Sequence, residues 1–272
     1  MPAVQIIIPA RLASTRFRGK PLAPLTGPDG VARPALHYTW QAGLAAVGAL
    51  GDDAQCIIAT DDQQIAEAAE AAGMGVVMTP VTCANGTERC AAALAVLDAV
   101  PEIVVNLQGD APLTPSAMVA AVVSLLRSDP ELSMATAAVP ASPAVLAHLQ
   151  ADAAAGRVGG TTVVCSTGGR ALYFSKSIIP HVAPEVPPRQ DVLLHVGLYA
   201  YRPSALAAYT AHGPVPLELQ EGLEQLRFLD AGLPVGVAVC DPPAWEMIEL
   251  NNPGDVALIE TELARRAALE SA

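Results

Sequence analysis

Positive charge is what this sequence has least of. It carries 15 Lys+Arg against 27 Asp+Glu in 272 residues, a formal net charge of −12. A broad nucleic-acid footprint needs a basic face, so that class of partner is excluded. Aromatic residues make up only 4%. The high apolar fraction is largely alanine, and no apolar run approaches the roughly 20 residues of a membrane helix. The opening "MPAVQIIIPAR" lacks the basic start and long apolar run of a secretory signal. The 5 cysteines (Cys56, Cys83, Cys90, Cys165 and Cys240) include no CxxC pair, which argues for reduced thiols and a cytoplasmic location rather than a disulfide framework or zinc site. Glycine-rich phosphate loops are missing too. Gly19-Lys20 is followed by Pro21, so the first turn is neither a P-loop nor a dinucleotide fingerprint.

What is present is an alternation of short β-like runs with alanine-rich helical stretches. "VQIIIPA", "AQCIIAT", "GVVMT" and "EIVVNLQGD" read as strands. Between and after them, "ALHYTWQAGLAAVGAL", "DDQQIAEAAEAAG", "ERCAAALAVLDAV" and "SAMVAAVVSLLRS" read as helices. Asp61 or Asp62 can cap the second of these and Gly73 can end it. This rhythm predicts an α/β fold with a doubly wound, mainly parallel, Rossmann-like sheet. The second half differs: "TTVVCS", "GRALYFS" and "LLHVGLYAYR" read as strands joined by Gly- and Pro-rich connections. "APEVPPRQ" at 183–190 reads as a mobile loop, "LELQEGLEQLRFLDAG" as one helix, "PVGVAVC" as a strand and "PGDVALIETELARRAALE" as a terminal helix. With no repeat and no long linker, residues 1–272 read as a single domain with an antiparallel excursion at about 160–202. That excursion would cover the site or pair two subunits.

The scarce cations are concentrated. Arg11, Arg16, Arg18 and Lys20 follow directly on the first strand. Ligands of doubly wound sheets bind at the carboxyl ends of strands, so backbone N–H groups with Arg11 and Lys20 make a suitable polyphosphate site. "VNLQGDAPL" ends a second buried strand with Gly109-Asp110, which brings a carboxylate to the same sheet edge. Among cations and phosphates such a carboxylate is a natural Mg²⁺ ligand; Gly-Asp is also simply what a turn uses. "NGTERC" (Asn85, Gly86, Thr87, Glu88, Arg89) precedes a helix and either reads a base edge or caps a turn.

In this order, "IIPARLASTRFRGKPL", "IIATDD", "NGTER", "VNLQGDAPL", "MATAAVP", "ALYFSKSIIP", "HVGLYAYR" and "PLELQEGLEQLRFL" span about residues 4–260. Together they resemble the 3-deoxy-manno-octulosonate cytidylyltransferase (CMP-Kdo synthetase) family. The resemblance implies a fold of the nucleotidyltransferase type and a transfer of CMP from CTP to a small acid, with release of pyrophosphate. It implies that Arg11 and Lys20 hold the triphosphate and that Asp110 binds Mg²⁺. Ala10, Ser14, Asn85, Gly86, Thr87 and Gln108 would place the nucleotide. Lys176, His195, Tyr199, Glu224 and Gln225 would meet the acceptor. It also implies a homodimer, paired through the excursion.

Several positions depart from the family pattern. The family usually ends with "GVDTPEDL", whose first Asp is a second metal ligand; this chain reads "IELNNPGDV", so Asn251 takes that position. Lys176 stands where arginine is usual, Thr162 where lysine is usual and Ala111 where glutamate is usual. These changes fall mostly on the acceptor side. Two alternatives therefore stay open: the same transfer to another acid, such as a small phosphonate, and a nucleotide-binding module without turnover.

Overall fold

Three consecutive isoleucines bury the first strand. Ile6, Ile7 and Ile8 are all fully inaccessible, as in a strand covered on both faces of a parallel sheet. The computed structural model describes residues 2–13, 17–182 and 191–271. They form two compact units, one of Met1–Ala120 with Pro243–Ala272 and one of Ala121–Pro242.

In the first unit, β1 (Val4–Ala10) leads through a single 3-10 turn (Lys20–Leu22) into a hairpin of β2 (Pro24–Thr26) and β3 (Ala32–Pro34). Helix α1 (Ala35–Leu50), β4 (Ala54–Thr60), α2 (Gln63–Ala71), β5 (Val76–Met78), α3 (Gly86–Leu94) and β6 (Ile103–Leu107) follow. The strands lie in the order β6-β1-β4-β5 and are all parallel. β1 pairs with β4 from Val4↔Ala54 to Ala10↔Thr60, and with β6 from Val4↔Ile103 to Ile7↔Asn106. Their carboxyl ends therefore share one edge, where the first loops emerge. Asp62 caps α2 by accepting the Gln64 and Ile65 N–H groups, and Gly73 ends it at φ +73°.

Helix α4 (Ser116–Ser128) carries the chain into the second unit. There follow β7 (Met134–Pro140), α5 (Pro143–Ala154), β8 (Thr162–Cys165), β9 (Ala171–Ser175), β10 (Leu193–Tyr201), α6 (Pro203–His212), α7 (Pro216–Glu221), α8 (Leu226–Asp230) and β11 (Val235–Val239). β11 is parallel to β7, whereas the pairs β7–β10, β10–β8 and β8–β9 are antiparallel. The expected α/β class, with a parallel sheet and an antiparallel excursion, is what the chain adopts. The proline-rich stretch at 183–190, expected to be a mobile loop, lies outside the described residues.

The single helix expected over "LELQEGLEQLRFLDAG" is two, α7 and α8. Gly222 separates them in the left-handed region, at φ +62° and ψ +42°. The hairpin β2–β3 and the helices α5 and α6 have no counterpart in the sequence reading. The two hairpin strands are only three residues long and contain prolines. The apolar residues of α5 and α6 are spread around the helix instead of forming a stripe.

The last helix, α9 (Asp255–Glu270), belongs to the first unit. Ile259 and Leu263 pack with Leu25, Tyr38, Leu113 and Leu250, and Phe17, Trp245 and Ile248 close the cluster. The end of the chain thus returns to the loops that follow β1 and β6.

Candidate active site

At the shared carboxyl edge of β1 and β6 lies a cleft of about 550 Å³, counted with its open mouth. Pro9, Ala10 and Arg11 line it from β1, and Lys20 and Pro21 from the 3-10 turn. Cys83, Asn85, Gly86 and Arg89 line it from the start of α3, and Gln108, Gly109 and Asp110 from the turn after β6. Segments far apart in sequence thus meet in one concave surface.

Each lining group has a local cause. Gly19, at φ +75°, turns the chain so that its N–H reaches the Leu12 carbonyl at 3.0 Å, and Lys20 follows at the rim. Gly109 is required by proximity: a Cβ there would lie 2.5 Å from the Pro9 carbonyl oxygen. Only hydrogen fits between the ends of β1 and β6 at that point. The Ala111 N–H closes a turn onto the Gln108 carbonyl at 3.0 Å, and Asp110 occupies the bend. Lys20 and Asp110 form an ion pair, with side chains 17% and 18% exposed. Arg11 is exposed and donates to the Ala84 carbonyl at 3.4 Å.

The "NGTER" loop caps its helix and also faces the cleft. Asn85 caps α3 by accepting the Glu88 N–H at 2.8 Å, and Glu88 Oε2 accepts the Ala84 N–H at 2.8 Å. Asn85 and Gly86 also line the cleft, whereas Thr87 is fully buried and does not. Ser14 lies outside the described residues. The sequence reading missed Arg89 as a wall of the cleft. Its guanidinium is buried, donating to Thr79 Oγ1 at 2.7 Å and pairing with Asp61 at 3.2 Å. The signal was the first aspartate of "ATDD", Asp61, left over once Asp62 caps the helix. Burial raises the pKa of the Cys83 thiol on the same wall.

Asn251 lies one residue beyond Leu250, whose N–H donates to the Asp110 carbonyl at 2.8 Å. The Asn251 side chain donates from Nδ2 to Glu249 Oε2 at 3.2 Å. Asp255 Oδ2 accepts the backbone N–H groups of Asn251 and Asn252 at 2.8 and 2.6 Å.

In the second unit, three residues expected to meet the acceptor come together. β10 carries extra residues against β7 between Val196↔Ala137 and Tyr199↔Thr136. The His195 and Tyr199 rings lie 5.5 Å apart, and Phe174 meets His195 edge-on. Thr136 has one hydroxyl hydrogen, and its shortest carbonyl contact is Leu198 O at 2.7 Å. Thr136 therefore accepts from His195 Nε2–H at 2.9 Å, which leaves the lone pair on Nδ1. Burial lowers the His195 pKa to about 3, so the imidazole is neutral. The Tyr199 hydroxyl donates to Gln225 Oε1 at 3.4 Å. Gln225 is 1% exposed, and its amide nitrogen has no hydrogen-bond partner among the described residues. A buried amide donor is ordinarily paired, so this one calls for a partner.

Glu224 is half-buried in the break between α7 and α8 rather than on a solvated helix face. Lys176 is exposed, and its backbone N–H donates to Glu221 Oε2 at 3.0 Å. Burial pushes the Glu221 carboxyl up, but hydrogen bonds from Lys176 N–H, Ser175 and Tyr173 outweigh this and hold it below its usual value. Thr162, where a family lysine would stand, is buried and donates to the Ser177 carbonyl at 2.6 Å. Its hydroxyl is a strut for the chain after β9.

Comparison with known proteins agrees with this layout. Residues 5–235 match a family model described as cytidylyltransferase. The 3-deoxy-manno-octulosonate cytidylyltransferase of Maricaulis maris (strain MCS10) is 40% identical over 269 residues, spanning 98% of this chain and 99% of that one. The protein of the same name from Zea mays is 36% identical over 261 residues, spanning 96% and 80%. A solved structure described as CMP:2-keto-3-deoxy-manno-octonic acid synthetase complexed with CTP is similar at a TM-score of 0.81 and 30% identity, over 97% of this chain and 99% of that one. No helix among the described residues is long and apolar enough to cross a membrane. With the cationic cleft at the carboxyl edge of its parallel sheet, this chain belongs to the 3-deoxy-manno-octulosonate cytidylyltransferase family of CTP-dependent nucleotidyltransferases.

Proposed function

We propose that the protein transfers CMP from CTP to 3-deoxy-manno-octulosonate and releases pyrophosphate. The observation that carries this is the cleft that brings Arg11, Lys20 and Asp110 together after β1 and β6. A triphosphate needs cations at its oxygens, and this acidic chain places two of its few there. Asn85, Gly86 and Gln108 would flank the nucleoside.

In the reaction an acceptor hydroxyl oxygen bonds to the α-phosphorus while the bond to the bridging oxygen of pyrophosphate breaks. The hydroxyl proton is lost to solvent or to a nearby base. No covalent intermediate on the protein is needed, so its work is positioning and charge compensation. Arg11 and Lys20 hold the phosphates, and before the nucleotide binds Lys20 is paired with Asp110.

The donor chemistry fits Mg²⁺. Among the described residues no group of three or more His, Cys, Asp or Glu could hold an ion alone. Mg²⁺ at a nucleotide uses one or two carboxylates together with phosphate oxygens and waters, and all its preferred donors are hard oxygens. Asp110 and Asn251 are the residues that would hold it, and when bound it would withdraw charge from the phosphates.

The acceptor would be read in the second unit by neutral groups and one cation. His195 Nδ1 accepts from a hydroxyl, the spare Gln225 amide donates, and Tyr199 packs beside them. Lys176 balances the carboxylate, and Glu224 lies at the same helix break. The protein would work as a homodimer paired through the strands of residues 160–202, where Leu172 is an exposed apolar residue. All 5 cysteines are free, which suits the cytoplasm.

The test is pyrophosphate release with CTP and Mg²⁺ against 3-deoxy-manno-octulosonate, its 8-amino analogue, a sialic acid and small phosphonates. Turnover of the octulosonate is expected. Turnover of a phosphonate alone would overturn the acceptor assignment, and binding of CTP with no turnover of any acid would overturn the enzymatic one.

A further inference from the structure

Every backbone carbonyl from Gly109 to Leu113 is held. Thr39 Oγ1 donates to Gly109 O at 3.1 Å, and Thr114 Oγ1 donates to Ala111 O at 3.0 Å. The other three are bound by the returning end of the chain. Leu250 N–H reaches Asp110 O at 2.8 Å, Arg266 Nη1 reaches Pro112 O at 3.2 Å and Trp245 Nε1 reaches Leu113 O at 2.9 Å. The donors come from a loop and a helix that pack on Leu113 through Leu250, Ile259 and Leu263. All of this lies beyond residue 235, where the family match ends.

Buried carbonyls need partners in any fold, but the turn itself is already closed by Ala111 N–H and squeezed at Gly109, and here three of the five partners come from one distant part of the chain. The added bonds hold the backbone of Asp110 and of the residues that follow it. Catalytic constellations tolerate errors of about 0.5 Å before they lose function. Arg266 is only 17% exposed, so its bond to Pro112 is shielded from competing water.

We infer that Trp245 and Arg266 are positioning residues for Asp110, and that residues 245–266 form the frame of the metal–triphosphate site. Neither touches substrate; each acts through the loop carbonyls. The inference rests on the proposed role of Asp110 as the metal ligand.

The experiment is Mn²⁺ binding in the presence of CTP, read by electron paramagnetic resonance on the full chain, alongside steady-state kinetics. Trp245→Phe keeps the ring packing and removes the N–H; Arg266→Met keeps the stem and removes the donor; Arg266→Lys keeps a donor. Supporting groups of this kind are worth about 10- to 100-fold in metal affinity. Trp245→Phe/Arg266→Met should weaken Mn²⁺ binding by about tenfold, with the KM for the acceptor unchanged and with partial recovery in Trp245→Phe/Arg266→Lys. If the double variant melts without cooperativity, Arg266→Met against Arg266→Lys makes the same comparison. Wild-type Mn²⁺ affinity in variants that lack these donors would overturn the inference. Asp110→Asn is the control: undiminished Mn²⁺ binding in that variant would instead overturn the role of Asp110 itself.

Discussion

Lys20 and Asp110, 90 positions apart in the chain, close on each other as an ion pair within the cleft. Each neutralises the other until a nucleotide arrives. In the proposed reaction the two charges then have different partners, the ammonium the phosphates and the carboxylate the metal. Their removal should therefore have unequal effects. Lys20→Met leaves a carboxylate facing an incoming polyanion, so CTP binding should weaken. Asp110→Asn removes that repulsion, so metal-free CTP binding should hold or tighten while turnover falls by about 10²- to 10³-fold, as when a preorganised charge is lost. Calorimetry of CTP binding without metal, beside pyrophosphate release, checks the split. Equal loss of CTP affinity in both variants would contradict it.

A second ion pair serves the fold. Arg227 and Glu218 are 2% and 8% exposed at the side chain, with Arg227 Nη2 2.6 Å from Glu218 Oε1. Arg227 also lies 3.9 Å over the Tyr209 ring, and the Tyr209 hydroxyl donates to Glu218 at 3.3 Å. Arg227→Ala would leave the Glu218 carboxylate buried without its counter-charge, at a cost of about 3–5 kcal/mol. Urea denaturation measures this, and replacing both residues should cost less than the sum of the single changes.

The parallel half of the fold was legible because buried strands and amphipathic helices write their periods directly. Α1, β4 and α4 occupy the stretches predicted for them, since "ALHYTWQAGLAAVGAL" and "SAMVAAVVSLLRS" repeat their apolar residues at helical spacing and "AQCIIAT" is a short apolar run of strand length. The break at Gly222 was not legible, because a glycine inside a helical pattern reads as a weak position until its φ is known. At the site, Lys20 and Asp110 could be placed on one sheet edge from the strand pattern alone. The pairing of Arg89 with Asp61 could not, because it depends on how α3 sits over β4. Nor could the three bonds from the chain end to residues 110–113, which are tertiary and carry no local signature.

His195 gives the protein a pH signature. Burial holds its pKa near 3, against an ordinary value of 6.5. Between those values the unfolded chain takes up a proton that the folded chain refuses. The stability associated with the neutral ring is complete above about pH 6.5 and is lost as the pH falls toward 3. Urea midpoints at pH 7.5 and pH 5 should therefore drop more steeply for the wild type than for His195→Gln. The neutral ring should also keep the acceptor KM free of an imidazole titration across that range. Equal drops in both proteins would mean that the ring is readily protonated in the fold.

In the proposed metal site, Asn251 would set the charge. Its amide donates to Glu249, and its backbone N–H is bound by Asp255, so the carboxylate of Asp255 is committed to holding the loop. If Asn251 lends an oxygen to Mg²⁺, it does so without charge, and Glu249 supplies the nearby negative charge. Calcium- and magnesium-type sites strengthen with the number of charged ligands. Asn251→Asp should then lower the Mg²⁺ concentration for half-maximal turnover, on the order of tenfold. Asn251→Ala and Glu249→Gln should raise it. CTP affinity without metal should move the opposite way in Asn251→Asp, because the added carboxylate repels the triphosphate. A metal titration that does not shift in Asn251→Ala would remove Asn251 from the ligand set and leave Asp110 as the protein's one anchor for the ion.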